Sequence, residues 1–215
     1  MIVLVAVFGK VRGNDNPMLP VYILSGRLIF SYFSNATKSS MKSIRVNSQM
    51  IKKVYVPKYI YPLASVISQY ITFLISLIVL VGVVIYSKVK PTFYVVQAIV
   101  PLTILFMLVL GVGLILATMA VFFRDTEYLW GVVLMLIMYC SAIFIKPELM
   151  IDNGVGWILD FNPLYAVIFN FRNSVIYGLP LDLYYLLYSL GFSVASLIIG
   201  IWMFYKKQDQ FILNI

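Results

Sequence analysis

From Pro91 to Phe123 the chain runs for 33 residues without a charge. A second charge-free run extends from Tyr59 to Ser87. A helix needs about 20 apolar residues to cross the ~30 Å hydrocarbon core, so each run can cross. No water-soluble fold of 215 residues has interior enough for these runs and for the other apolar stretches, which together make the chain 62% hydrophobic and only 11% charged. Soluble domains carry about 25% charged residues. Mean hydropathy is +0.98. The bilayer is therefore expected as solvent, and in lipid the backbone must satisfy itself as helix or closed barrel. Runs of this length predict an all-α, polytopic membrane protein forming one transmembrane domain over 1–215.

Taken in order, Met1–Phe8 is apolar but reaches only about 12 Å as helix. It reads as the end of a span whose beginning, with any amphipathic helix before it, lies upstream. Complete spans are predicted at Met18–Thr37, Pro62–Tyr86, Pro91–Phe123, Tyr128–Ile145 and Leu183–Tyr205. The third is read as a single long helix with an irregular outer part containing Pro101. Between Lys146 and Leu183 apolar pieces of about ten residues are too short to cross, which predicts re-entrant half-helices before the last span.

Lys38–Lys58 (KSSMKSIRVNSQMIKKVYVPK) holds six cations and no acid. Loops rich in Lys and Arg stay in the cytoplasm, so this one fixes the orientation. Nine cations then lie inside: the six, Arg124, Lys206 and Lys207. Six lie outside: Lys10, Arg12, Lys88, Lys90, Lys146 and Arg172. Arg27 falls within a span, where a cation is costly unless it snorkels or faces a wet cavity. The net charge of +8 is spread over these short breaks, a topology pattern that does not suggest nucleic acid. Without His and with Cys140 alone, neither a His/Cys metal site nor an internal disulfide can form, and no Ser/His/Asp set is possible. No sequence fits G-x-x-x-x-G-K-[ST], so the chain has no P-loop of its own. The acids Glu148, Asp152, Asp160 and Asp182 show no spacing that suggests acid–base catalysis.

Residues 41–54 place Met41, Ile44, Met50, Ile51 and Val54 at near-helical spacing with Lys and Arg between. That predicts one apolar stripe on a basic helix, suited to a partner's cleft or to anionic lipid. Arg124, Asp125 and Glu127 are expected either to brace the inner end of the long helix or to touch a partner, or to be a topogenic loop alone.

Four segments, in order, resemble the membrane subunits of ABC-2 type exporters of polysaccharide, O-antigen and teichoic acid. In the basic stretch these are Asn47, Lys52, Lys53, Val54, Tyr55, Pro57 and Lys58. Phe123, Arg124 and Asp125 resemble the family's inner-loop motif. Asn162, Pro163 and Arg172 resemble its element before the last helix, and FYKKQDQF its closing segment. The resemblance implies a homodimeric transport subunit that is not itself an enzyme and has no cofactor, ATP being bound by a separate ABC ATPase. It implies that this partner grips a coupling loop carrying Lys42, Ile44, Arg45, Asn47, Ile51, Lys52, Lys53, Pro57 and Lys58. It further implies an aromatic-lined channel, for which Arg27, Phe30, Tyr32 and Phe33 are candidates, capped by the Asn162–Tyr177 piece. The implied cargo is an undecaprenyl-linked glycan, delivered through the cell membrane. A permease for drugs or small lipids shares this architecture, and an intramembrane enzyme acting on lipid-linked sugars is the remaining alternative.

Overall fold

The computed structural model describes residues 19–53, 56–87, 93–144, 147–152, 154 and 156–211. The short span end expected at Met1–Phe8 lies outside them. Among the described residues there are helices and turns and no strand.

Long helix α1 runs from Leu19 to Val46 and short α2 from Ser48 to Lys53. They are followed by α3 (Ile60–Tyr86), a 3-10 turn (Phe93–Ala98) and α4 (Ile99–Phe122). Next come α5 (Thr126–Tyr139), two short pieces, α6 (Pro147–Asp152) and α7 (Trp157–Asp160), and α8 (Pro163–Arg172). A π turn (Asn173–Tyr177) leads towards α9 (Leu183–Lys207), which ends in a 3-10 turn at Gln208–Gln210.

Helix α4 is apolar all round, as a helix surrounded by protein must be. It lies at the centre, packed against α1, α3, α8 and α9. The irregular outer part expected near Pro101 is the 3-10 turn. Pro101 itself sits in the first turn of α4, where a missing N–H costs nothing. Helices α3 and α9 turn large apolar side chains outwards, among them Ile75, Ile78, Ile85, Leu187, Ile198 and Trp202. That surface suits lipid and would be untenable in water.

Lipid is as apolar as leucine, so close packing and hydrogen bonds hold such a bundle together more than hydrophobic transfer does. The α4–α9 crossing shows how close the packing is. A Cβ on Gly111 would lie 2.5 Å from the Leu197 nitrogen, and one on Gly200 would lie 2.6 Å from the Gly111 carbonyl oxygen. Ser189, Ser193 and Ser196 continue the small face of α9 and are buried. On the other side, Gly113 admits Ser40 of α1, whose Oγ would be 2.8 Å from a Cβ there.

Three helices, Ile60–Tyr86, Tyr94–Phe122 and Leu183–Gln210, are long and apolar enough to cross a membrane by themselves. The other two expected spans differ from expectation. Helix α1 has 28 residues, about 42 Å, but carries a polar face. It also runs on unbroken past Thr37, where the span was expected to end before a separate basic helix, because no helix breaker intervenes before Asn47. Helix α5 stops after 14 residues at Tyr139, reaching about 21 Å. The turn that ends it presents the carbonyls of Cys140 and Ala142 to Asn162 Nδ2 and Arg172 Nη1, at 3.1 Å each. Ala142 adopts a left-handed conformation there, with φ 46°.

Candidate functional site

The basic elbow is built where the ends of four helices meet. Helix α1 ends at Val46, and the chain turns at Asn47 before α2 begins. Asn47 stabilises the turn twice: its Nδ2 donates to the Ser43 carbonyl at 2.8 Å, and its own carbonyl accepts from the Met50 and Ile51 amides. Ile44 and Ile51, one on each arm, are buried in one cluster with Leu114, Ala117, Phe204 and Phe211. Phe211 reaches this cluster because the chain folds back after α9. Lys58 Nζ donates to the Gln208 carbonyl at 2.7 Å and ties the start of α3 to that turn.

An acid faces the last cations of α1. Glu127, in the first turn of α5, accepts from Arg45 Nη2 and pairs with Lys42 Nζ at 3.2 Å. Glu127 thus ties α5 to the end of α1, not to the long helix α4 that it was expected to brace. Phe123, Arg124 and Asp125, the inner-loop motif, are exposed beside it. Nearby, Lys206 lies 5.0 Å from the Trp202 ring and Lys207 lies 5.6 Å from that of Phe122. The described cations expected on the inner side therefore gather at one end of the bundle.

The expected apolar stripe is redistributed. Met41, Ile44 and Ile51 point into the bundle, while Val54 lies outside the described residues. Outward-facing apolar residues are Val46, 76% exposed, and Met50, 57% exposed. They stand among Lys42, Lys52, Lys53 and Pro57, all exposed. The kink at Asn47 is the cause: it rotates α2 relative to α1, so a stripe drawn on one continuous helix splits between core and surface.

A second feature is the outer face of α1. Arg27, Asn35, Lys38 and Lys42 are exposed, with Ser31 and Arg45 half-buried on the same side. Of the four channel candidates, Arg27 and the half-buried Phe30 line an open groove between α1 and the end of α5. Tyr32 and Phe33 do not. Tyr32 stacks on Phe73, 5.0 Å between centroids, and Phe33 packs near Trp130. Phe33 instead borders a second, mostly apolar open space with Trp130, Trp157 and Phe161.

The region before α9 is also buried more deeply than expected. Asn162 caps α8 by accepting from the Leu164 and Tyr165 amides, and Pro163 follows in the first turn, where its fixed φ is an advantage. Most of α8 then packs into the core, while Asn162, Pro163 and Leu164 at its start border the open space that Phe33 also lines. Arg172 is 3% exposed and has no acid beside it among the described residues. Its guanidinium bonds to the Ala142 and Tyr22 carbonyls and lies 3.5 Å over the Tyr22 ring. Gly26 makes the space: a Cβ there would be 2.5 Å from Arg172 Nη2. Asn170 closes the hairpin to α9 by accepting from the Asp182 amide at 2.8 Å. Asn162→Ala removes the cap and leaves the Cys140 carbonyl and the Ser141 hydroxyl without their donor. It should destabilise the protein by about 1–2 kcal/mol, read as a lower unfolding temperature in detergent; Asn162→Asp keeps the cap but sets a carboxylate oxygen against the Cys140 carbonyl, so it should destabilise as well.

Comparison with known proteins agrees with this arrangement. The model of the family described as ABC-2 type transporter matches residues 1–176. Two O-antigen export system permease proteins RfbA of Klebsiella pneumoniae are 27% and 28% identical to the chain, each over 95% of it and 79% of their own length. A third, from Myxococcus xanthus, is 25% identical over 80% of the chain and 66% of its own length. A helical bundle with lipid-suited outer faces, most of its described cations at one end, and a family match over most of its length together mean that the chain is a multi-pass inner-membrane protein of the ABC-2 type transporter family.

Proposed function

We propose that the chain is the membrane-spanning subunit of an exporter that carries a lipid-linked polysaccharide across the cytoplasmic membrane. Two copies, each a single transmembrane unit over 1–215, form the conduit, and a separate ABC ATPase supplies the energy. The observation that carries this reading is the elbow. It presents Val46 and Met50 amid lysines on its outside, while Ile44 and Ile51 lock its inside to α4 and α9. A push on such a knob cannot be absorbed locally, since both arms share one packed cluster, so it is passed to the helices that cross the bilayer. The cargo reading is supported by the O-antigen export permeases among the relatives and by the resemblance of the four sequence segments.

The cargo is tested by deleting the gene and extracting undecaprenyl-linked glycan. Glycan held on the cytoplasmic side, out of reach of an impermeant glycosidase and released by restoring the chain, is the expected result. Unchanged surface glycan would refute it.

A further inference from the structure

The groove beside Arg27 has the composition of a binding site. It measures about 370 Å³, within the usual range for small-ligand sites. Its walls are Arg27, Ser31, Ser34 and Asn35 on one side, with Phe30 and Phe144 among the apolar residues. Arg27 begins the polar stripe of α1 about 12 Å in from the outer end of that helix. Among the described residues no carboxylate lies within ion-pair distance of it. An exposed, unpaired cation at this depth is costly against lipid and is retained where it meets water or an anion. Asn35 Nδ2 donates to Ser31 Oγ at 3.4 Å, which leaves the Asn35 carbonyl oxygen and the Ser31 hydroxyl proton free for a ligand.

The groove is held open at both ends. Towards the outside, Arg172 bridges the Tyr22 and Ala142 carbonyls at 3.0 and 3.1 Å, and the Tyr22 hydroxyl donates to Ala142 as well. Towards the inside, Trp130 Nε1 donates to Thr37 Oγ1 at 3.0 Å. The α1 wall and the wall formed by α5 and its following turn are therefore pinned above and below the space. A prebuilt site loses little freedom when it fills.

We propose that this groove binds a phosphorylated sugar. The guanidinium takes the phosphate through two parallel N–H bonds. The serine hydroxyls and the Asn35 amide take sugar hydroxyls, and the Phe30 and Phe144 rings cover the apolar face of the pyranose. The proposal deepens the exporter reading and rests on it: the site recognises a sugar-phosphate unit of the cargo. A phospholipid headgroup offers the same chemistry, and the test separates the two.

The full chain is placed in nanodiscs of phosphatidylcholine and titrated calorimetrically with glucose 1-phosphate, glucose and inorganic phosphate. Glucose 1-phosphate should bind at least tenfold more tightly than either of the others. Arg27→Gln should weaken it tenfold or more, Asn35→Ala severalfold, and Arg27→Lys less than Arg27→Gln, with helical content and monodispersity unchanged in all three. Equal binding by wild type and Arg27→Gln overturns the proposal. So does loss of binding when phosphatidylglycerol is added to the disc, since the headgroup is then the occupant. Unchanged surface glycan after deletion of the gene would sink the exporter reading without touching this titration, and the converse also holds.

Discussion

Gly111→Leu is expected to leave little folded protein. At Gly111 the obstacle to any side chain is the backbone of α9: its Leu197 nitrogen and Ser196 carbonyl carbon lie 2.5 and 2.6 Å from the position of a Cβ. A side chain in the way could change rotamer, but a helix backbone can only move as a whole. Helices α4 and α9 share the closest and most extensive contact in the bundle, so parting them undoes the packing that holds a membrane protein together. Overpacking costs about 1–3 kcal/mol even where side chains can shift, and this site should exceed that range. The measurement is the monodisperse fraction after detergent extraction, with the unfolding temperature of whatever survives. Gly191→Leu on α9 is the control, because a Cβ there meets nothing within 4 Å. It should be neutral or slightly stabilising, as leucine favours helix over glycine by up to about 1 kcal/mol.

The second large effect falls on the elbow. Val46→Asp with Met50→Asp should reduce capture of the ATPase subunit from membranes more than tenfold. Anchors buried at the centre of an interface are commonly worth about 2 kcal/mol or more each, and a carboxylate here must also be desolvated in the partner's cleft. Both residues are exposed in the chain itself, so fold and membrane insertion should survive the change. Lys52→Glu with Lys53→Glu should weaken capture too, and the wild-type complex should loosen as salt is raised. If the elbow merely rested on anionic lipid, all of these variants would capture the ATPase normally.

Much of this arrangement is legible in the sequence because charge is so sparse. The charge-free runs locate α3 and the inner end of α4 to within two residues, while the outer part of the second run is taken by the 3-10 turn at Phe93–Ala98; the apolar run closed by Lys206 and Lys207 locates α9. The polar face of α1 is legible as well: Arg27, Ser31, Asn35, Lys38, Lys42 and Arg45 recur at three- and four-residue spacing. What hides it is the density of lysines after Thr37, which reads as loop although no residue there stops a helix. The early end of α5 is set by carbonyls handed to Asn162 and Arg172, which lie more than twenty residues further on. Local pattern cannot carry that information. Arg172 reads as a loop cation for the same reason, since the space it fills depends on Gly26, 146 residues earlier. Tyr32 reads as a candidate channel aromatic because its stacking on Phe73 of α3, forty-one residues further on, is not visible in local pattern.

A photo-crosslinking amino acid at Met50, introduced into the full chain in living cells, reports what the elbow touches. The account predicts a covalent adduct with a P-loop ATPase subunit, formed on irradiation and lost in the Lys52→Glu/Lys53→Glu background. Adducts to lipid alone, or modification of the same position by an impermeant reagent added outside intact cells, would contradict it.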